Sequence, residues 1–115
     1  MRGIDGEQTL LRIILSESHT YDHQPLFRRI VEVLRQEGLA GTTVLIGIAG
    51  FGHDRRMHSV NLEVTAEGLP IVIEVVDTGD QIERVLPKVE ALMTGGLIML
   101  ERARVIRYRQ GATSA

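Results

Sequence analysis

Apolar and polar residues alternate along several segments of the 115-residue chain, which is the spacing typical of β-strands. The alternation is cleanest over residues 60–65, where one face carries only polar side chains and is expected to contact solvent. Glycine-rich or polar stretches separate these segments, as expected at turns. The pattern therefore predicts strands over residues 9–16, 43–51, 60–65, 71–76 and 97–108.

Two further segments repeat apolar residues at intervals of three or four, which is the spacing of helices that bury one face. The first covers residues 25–37 and is expected to end at Gly38, because glycine adopts left-handed backbone angles easily. The second follows Thr78, which forms a capping-box pattern with Gln81. Because proline lacks a backbone N–H, Pro87 is expected to kink this second helix or to split it.

The order of these elements is strand, helix, strand, an extra hairpin strand, strand, helix and strand. Without the extra strand this is a doubled βαβ unit, so we predict an α+β, ferredoxin-like (βαββαβ) sandwich with an extra hairpin strand. Several strands are apolar on both faces, and self-association is expected to cover the face that the helices leave open. We assign residues 1–8 to a flexible N-terminal extension, 9–109 to the domain and 110–115 to a C-terminal tail.

The composition fits a single globular domain, with 43% hydrophobic and 24% charged residues. The chain has no cysteine, which excludes a disulfide framework, a thiolate zinc site and a cysteine nucleophile. The net charge of −2 gives no reason to expect a nucleic-acid partner. No apolar run approaches the roughly 18 residues that span a bilayer, so we expect a soluble, cytoplasmic protein.

Arginine supplies all but one of the basic residues, and Lys88 is the exception. Arginine binds phosphate or carboxylate through two parallel hydrogen bonds, although a genome-wide composition bias would give the same ratio. Arg107 and Arg109 share one face of the predicted last strand, so their side chains would emerge about 7 Å apart and match neighbouring phosphates. The alternative is a solvated edge strand whose charges oppose aggregation.

Glycine clusters offer a second candidate anion site, because backbone N–H groups in glycine-rich turns can approach an anion closely. None of the clusters matches a Walker or Rossmann motif, and each alone is more typical of a turn than of a ligand site. The clusters are Gly47 with residues 50–52, residues 95–96, and Gly111.

Histidine and serine residues raise the questions of a metal site and of catalysis. The four histidines, His19, His23, His53 and His58, fall in predicted loops without an HExxH pattern, so we expect no metal site. Ser16 and His19 could supply a nucleophile and a base, but no G-x-S-x-G motif is present. We therefore expect a protein without enzymatic activity.

Four segments are distinctive in this order: Gly-Leu-Ala-Gly-Thr-Thr-Val at 38–44, Gly-Phe-Gly at 50–52, Leu-Pro at 69–70 and Ala-Arg-Val-Ile-Arg-Tyr-Arg-Gln-Gly at 103–111. They resemble the landmarks of PII signalling proteins. Further segments are Leu-Arg-Ile at 11–13, Pro-Leu at 25–26, Gly-Thr-Thr-Val-Leu at 41–45, Gly-Ile at 47–48 and Pro-Ile-Val-Ile-Glu at 70–74. With Gly-Phe-Gly they give a fuller resemblance, over about residues 9–109, to a smaller PII-like family long labelled as a domain of unknown function.

This resemblance implies a homotrimer that binds a small anionic effector, an adenine nucleotide, in clefts between its subunits. It implies that a loop reports occupancy to a partner such as a membrane transporter, a channel or an enzyme, and that no cofactor is obligatory. The residues it assigns to nucleotide binding are Thr43, Gly50, Phe51, Gly52, Thr94, Gly95, Gly96, Arg107 and Arg109. The responsive loop is assigned to His53, Asp54, Arg55, Arg56 and Met57.

The sequence departs from the PII pattern at three places. The loop before the last strand keeps only residues 94–97 and lacks the PII lysine, so we expect a nucleotide with few phosphates. The long PII loop with its modifiable tyrosine is replaced by a short segment, so modification there is not expected. One additional residue precedes Gly50, and a bulge at Gly47 is expected to absorb it.

Two other functions stay open on the sequence. One is a metal-responsive or purely structural trimer similar to cation-tolerance proteins, for which the histidines would be the discriminating feature. The other is a small hydrolase on the same fold, which would require nucleotide or acyl phosphate turnover that depends on a particular side chain.

Overall fold

The structure is a computed structural model that describes residues 3–52, 57–59 and 68–109. In chain order, this part of the protein forms β1 (Gly6–Ser16), β2 (Thr20–Tyr21), β3 (Gln24–Pro25), α1 (Leu26–Gln36), β4 (Thr43–Ile46), β5 (Ala49–Gly50), β6 (His58–Ser59), β7 (Pro70–Asp77), α2 (Gly79–Leu92) and β8 (Leu97–Val105). The remaining segments, including residues 53–56 of the responsive loop and the predicted strand 60–65, lie outside the described residues.

Four of the strands form one antiparallel sheet in the order β4-β7-β1-β8. Strands β1 and β4 run in the same direction on either side of β7, so the helix between them crosses one face of the sheet. The second helix connects β7 to β8 in the same way. This is the split βαβ arrangement of the ferredoxin-like fold, and it confirms the predicted fold class.

The two helices cover one face of the sheet and enclose the core. Strands β1 and β7 alternate strictly between this face and the opposite one, because successive side chains of a strand point to opposite sides. The fully enclosed apolar residues are Leu11, Ile13, Ile71, Ile73 and Val75 from the sheet and Leu26, Ile30, Leu34, Ile82, Val85 and Val89 from the helices.

Strand β1 begins three residues before its predicted start. Residues 6–8 pair with the end of β8, and Ile4 is only 4% exposed. The sheet therefore includes residues 6–8, which the sequence pattern placed in the N-terminal extension 1–8. Their Gly-Glu-Gln sequence has no apolar alternation, so only the pairing with β8 reveals the strand.

Helix α1 ends as the sequence predicts. Gly38 adopts a φ of +78°, and its N–H donates to the carbonyl of Arg35 at 3.1 Å. The N–H of Leu39 donates to the carbonyl of Leu34 at 3.3 Å, and the Leu39 side chain packs against the core. Glycine at this position allows the left-handed turn that closes the helix.

Helix α2 begins with a cap and continues through its proline. The Thr78 hydroxyl accepts the N–H of Gln81 at 3.2 Å, whereas the Gln81 side chain accepts a hydrogen bond from Arg84, so half of the predicted capping box forms. Of the two outcomes expected at Pro87, a kink or a split, the split does not occur, because α2 is one helix from Gly79 to Leu92. Pro87 and Glu83 are both exposed, so the Glu83 carbonyl that lacks a helical donor can bind solvent instead.

Strand β4 is shorter than the predicted strand 43–51. It ends at Ile46, and the chain forms the separate strand β5 after Gly47 and Ile48. The N–H of Gly47 still donates to the carbonyl of Pro70 at 2.7 Å, and a Cβ on Gly47 would lie only 2.7 Å from the Pro70 ring. Glycine is therefore required at the point where the chain leaves the sheet.

We call the sheet surface opposite the helices the open face. It is mainly apolar, and no described element covers it, so Leu45 and Leu97 remain 49% and 51% exposed. The apolar side chains on this face are Leu10, Ile14, Leu45, Val72, Val76, Leu97, Met99, Ala103 and Val105.

Charged residues from three neighbouring strands meet at the centre of the open face. Arg12 of β1 donates to Glu74 of β7 and to Glu101 of β8, each at 2.8 Å. The hydrogen bond with Glu74 and the charge of Glu101 raise the pKa of Arg12 above its ordinary value. The group is only partly exposed. Because its ion pairs join β1 to both neighbouring strands, they stabilise the relative register of β7, β1 and β8.

Candidate ligand-binding clefts

Six of the nine predicted nucleotide-binding residues line a single cleft, which we call the glycine cleft. It has a volume of about 810 Å³ and lies where β1 ends and where β7 and β8 begin. Its wall is formed by Gly50, Phe51, Gly52, Thr94, Gly95 and Gly96, together with Ile14, Leu15, Ser16, Ser18, His19, Gly68, Pro70 and Leu97. The fold thus brings two separate glycine motifs of the sequence to one place.

The loop of residues 94–96 is held against the end of β1. Gly96 has a φ of +104°, and a Cβ there would lie 2.7 Å from the carbonyl oxygen of Ile14. The Thr94 hydroxyl donates to the carbonyl of Thr20 at 3.0 Å. Only glycine fits position 96, so this loop is placed by backbone packing as well as by hydrogen bonding.

The turn of residues 50–52 forms another part of the wall. A Cβ on Gly50 would lie 3.1 Å from the Pro70 ring, whereas a Cβ on Gly52 would meet no atom within 4 Å. Phe51 is 60% exposed. The turn is therefore packed against Pro70 at Gly50, whereas Gly52 has open space beside it.

Thr43, the seventh predicted residue, lines a different cleft, which we call the tyrosine cleft. This cleft has a volume of about 330 Å³. Its wall is mostly apolar and consists of Ile4, Leu10, Ala40, Gly41, Thr43, Glu74, Val76, Val105 and Tyr108. It lies where β1 and β4 begin and where β7 and β8 end.

Tyr108 connects the tyrosine cleft to the C-terminal arginines. Its N–H donates to the Asp5 carboxylate, and its hydroxyl donates to the carbonyl of Ala40 at 3.2 Å. Arg107 and Arg109 are exposed on either side of this anchored residue. The last two predicted binding residues therefore belong to the same end of the sheet as Thr43.

The predicted geometry of these arginines is wrong. Strand β8 ends at Val105 because its pairing partner β1 begins at Gly6, opposite Val105, and offers no residue beyond it. Arg107 and Arg109 consequently lie outside the strand. The shared strand face and the spacing of about 7 Å expected from strand alternation do not apply to them.

Asp77 is a buried carboxylate that fixes the segment before the tyrosine cleft. It is 0% exposed, and it accepts the N–H of Ala40 at 2.8 Å and the N–H of Thr78 at 2.7 Å. Asp77 was not among the residues predicted to have a functional or structural role. Its position in phase with the buried residues Ile71, Ile73 and Val75 was the available signal, since a charged residue at a buried strand position must find partners.

The two clefts lie at opposite ends of the sheet. Strand β8 runs from the glycine cleft at Leu97 to the tyrosine cleft at Val105, a backbone distance of roughly 26 Å at the usual rise per residue. One copy of the chain therefore separates Gly50–Gly52 and Gly95–Gly96 from Thr43, Arg107 and Arg109.

The structure describes only part of the responsive loop and of the histidines that a metal-responsive protein would use. Residues 53–56 lie outside the description, while Met57 is 49% exposed. Within residues 3–52, 57–59 and 68–109, no three histidine, aspartate or glutamate side chains are grouped so that they could hold a metal ion. Neither of the two helices in this part of the chain is long and apolar enough to cross a membrane.

Comparison with solved structures identifies the fold. The nitrogen regulatory PII-like protein CPII of Thiomonas intermedia K12, solved with ADP, AMP and bicarbonate, matches with a TM-score of 0.58 at 22% identity, over 88% of this chain and 90% of CPII. The divalent ion tolerance protein CutA1 of Ehrlichia chaffeensis matches with a TM-score of 0.57 at 12% identity, over 94% of this chain and 89% of CutA1. The fold is that of PII-like proteins, and proteins with different described roles share it.

Sequence comparison identifies the family. The model of the family DUF190, described as Uncharacterized ACR, COG1993, matches residues 8–105. A UPF0166 protein of Aquifex aeolicus (strain VF5) is 33% identical over 100 residues, which are 87% of this chain and 94% of the relative. The chain belongs to the DUF190 family, and the resemblance seen in the sequence motifs is confirmed.

Proposed function

We propose that this protein is a non-enzymatic PII-like signalling protein of the cytoplasm that binds an adenine nucleotide between the subunits of a homotrimer. The observation that carries the proposal is the division of the predicted binding residues between the glycine cleft and the tyrosine cleft. A mononucleotide is much shorter than the roughly 26 Å between the ends of β8. A neighbouring copy is therefore needed to bring the two sets of residues to one ligand.

The open face is the surface through which the copies associate in this proposal. Its apolar side chains are exposed in a single copy, and burying such a surface favours association. An assembly around this face would place sheet ends of neighbouring copies next to each other. The glycine cleft of one copy would then meet the tyrosine cleft of the next, with Arg107 and Arg109 near the phosphates.

The ligand that we propose is a nucleotide with one or two phosphates. No lysine or arginine belongs to the described wall of the glycine cleft, so in this proposal the phosphates meet the cations Arg107 and Arg109 of the neighbouring copy, which suits fewer phosphates than a triphosphate has. CPII was solved with ADP and AMP, which supports this nucleotide class.

The signal would leave the site through the responsive loop. Its first residue, His53, directly follows Gly52 of the glycine cleft, so a ligand in the cleft adjoins the start of the loop. We propose that occupancy changes how residues 53–57 contact a regulated partner, which is a membrane transporter, a channel or an enzyme.

A binding measurement tests the nucleotide claim. Calorimetry with ATP, ADP, AMP and cyclic AMP should give dissociation constants below about 1 mM for AMP or ADP, with no hydrolysis on prolonged incubation. The mass of the same sample by light scattering should be that of a trimer. Failure of all four nucleotides to bind would refute the nucleotide claim.

Mixing of two variants tests whether the site is shared. Gly52→Asp places a carboxylate in the glycine cleft without a steric clash, and Arg107→Ala removes a cation near the tyrosine cleft. Each variant alone should bind AMP weakly, because each damages every site of its own assembly. Subunits of the two variants, unfolded and refolded together, should recover part of the wild-type sites.

Recovery is impossible if one copy supplies the whole site, so its absence would refute the shared cleft. Arg35→Ala is the matched control for Arg107→Ala, because Arg35 is an exposed arginine on α1 away from both clefts. This control should bind AMP like the wild type.

A further inference from the structure

His19 is held in the wall of the glycine cleft by its backbone and by its ring. Its N–H donates to the carbonyl of Ser16 at 3.0 Å, and its carbonyl accepts the N–H of Leu26 at 2.9 Å. The ring Nδ1 accepts the N–H of Ser16 at 3.1 Å. The residue thus links the end of β1 to the start of α1, and the scaffold sets the orientation of its ring.

The hydrogen bond to Nδ1 determines the tautomer of His19. A ring nitrogen that accepts an N–H group carries no proton, so the neutral imidazole holds its proton on Nε2. The Nε2 atom lies against the loop of residues 94–96, since a Cβ on Gly95 would be 2.8 Å from it. A hydrogen-bond donor is therefore present beside this loop, where the chain has no lysine.

The serine hydroxyls of the described wall can donate as well, whereas the Thr94 hydroxyl already donates to the carbonyl of Thr20. The hydroxyl oxygens of Ser16 and Ser18 are 2.7 Å apart, and one hydroxyl hydrogen of the pair is not used in that bond, whichever oxygen donates. No aspartate, glutamate, lysine or arginine is among the described wall residues. A wall with donors and without negative charge suits an oxyanion and opposes a metal cation.

We propose that His19 Nε2–H, together with a hydroxyl of the Ser16–Ser18 pair, binds an oxyanion in the glycine cleft. The oxyanion is either the phosphate of a bound nucleotide or a small free anion such as bicarbonate or inorganic phosphate. The nucleotide form of this proposal rests on the proposed function, whereas the free-anion form does not. His19 is then a residue that distinguishes AMP from adenosine.

Two substitutions at His19 separate the donor from the structural role of the ring. In His19→Asn the side-chain oxygen can still accept the Ser16 N–H, but the donor at Nε2 is lost. His19→Gln restores a donor near the Nε2 position. His19→Asn should weaken AMP binding about tenfold or more, because the bond removed is to a charged group, and adenosine binding should not change.

His19→Gln should recover part of the AMP affinity that His19→Asn loses. His23→Asn is the matched control, since His23 is exposed at the tip of the β2–β3 turn with a φ of 65°, a conformation that asparagine tolerates. This variant should bind AMP like the wild type. Equal losses for AMP and adenosine in His19→Asn, or no loss for either, would overturn the nucleotide form of the proposal.

The ¹⁵N resonances of the His19 ring in the wild-type protein give a measurement that needs no variant. Titration with AMP, inorganic phosphate or bicarbonate should shift the Nε2 resonance, whereas adenosine should leave it unchanged. If no nucleotide binds at all, the proposed function fails and the free-anion titrations still decide the role of His19. The absence of a shift with every anion would overturn the proposal itself.

Discussion

A single buried carboxylate, Asp77, organises one end of the sheet at the residue scale. It lies at the last position of β7 and accepts N–H groups both from Ala40, in the segment after α1, and from Thr78, the cap of α2. Burying a carboxylate is costly unless hydrogen bonds compensate for the lost water. Asp77 therefore couples the ends of both helices to the sheet and supports the wall of the tyrosine cleft.

Asp77→Asn should lower the free energy of unfolding by roughly 1–3 kcal/mol. Each carboxylate oxygen of Asp77 accepts one backbone N–H group, and in the variant the amide NH₂ would replace one of these acceptors with a donor. Asp80→Asn is the matched control, since Asp80 is exposed in the first turn of α2 and should cost less than about 1 kcal/mol. Urea denaturation measures both. Equal stability of the two variants would contradict the structural role of Asp77.

At the element scale, one acidic residue joins the two helices. Glu37 at the end of α1 accepts hydrogen bonds from Arg84 at 2.6 Å and from Lys88 at 2.9 Å, both on α2. Arg84 also donates to the backbone carbonyl of Glu37 at 2.7 Å, a group that the helix itself leaves unpaired. The bonds from Lys88 and Arg84 lower the pKa of Glu37 below its ordinary value.

The lowered pKa of Glu37 predicts a loss of stability in acid. A carboxyl whose pKa is lower in the folded state stabilises the fold above its unfolded value, near 4.5, and loses this contribution as the pH falls through the folded value. Glu37→Gln should therefore weaken the decrease of the melting temperature below about pH 4.5. Glu90→Gln, at an exposed position of α2, should leave that decrease unchanged, and an identical change in both variants would contradict the prediction.

The continuous path of α2 through Pro87 predicts a stabilising substitution. Pro87→Ala restores the missing N–H at an exposed helical position and should raise the free energy of unfolding by roughly 1–3 kcal/mol. Pro25→Ala is the control, because Pro25 is exposed and precedes the first residue of α1, where no helical hydrogen bond is missing. Chemical denaturation that showed no greater gain at position 87 than at position 25 would contradict this account.

The elements whose signals are local were predictable from the sequence. Gly38 and Thr78 end α1 and begin α2 as expected, because each acts through its own backbone or its nearest neighbours. The start of β1 and the end of β8 were not predictable, since each depends on pairing with the other strand. The same reason explains the incorrect strand geometry of Arg107 and Arg109.

The two glycine motifs of the candidate site were identified from the sequence, but His19 was not assigned to it. Turn glycines have a recognisable spacing, and both motifs line one cleft. The role of His19 depends on a contact with Gly95, which lies 76 positions further along the chain. Such long-range contacts are set by the fold and have no local pattern.

At the scale of the whole molecule, the open face is an apolar surface that no described element of the chain covers. Its apolar side chains surround the ion group of Arg12, Glu74 and Glu101. A surface that covers this face must therefore exclude water from the apolar side chains and also accommodate the charged group. In the proposed trimer a second and a third copy of the same face cover the apolar side chains, and each copy brings its own group, in which Arg12 already pairs with both carboxylates.

Val72→Glu should dissociate the proposed trimer. Val72 lies on the open face opposite Ile14 and Leu45, and association would bury the new charge among apolar side chains. Light scattering should report a lower mass than for the wild type at the same concentration. Ala91→Glu, on the exposed side of α2, is the control that should keep the wild-type mass, and an unchanged mass for Val72→Glu would exclude this face from the interface.

The separation of the two clefts by the length of β8 has a thermodynamic consequence. If a ligand-binding site is complete only when two copies meet, ligand binding and subunit association are linked in a single equilibrium. A closed ring of three copies then holds three ligands, and dilution that dissociates the ring also releases them. Saturating ligand should conversely protect the assembly against dilution. The protein can therefore respond to the ligand only above the cellular protein concentration at which its copies associate.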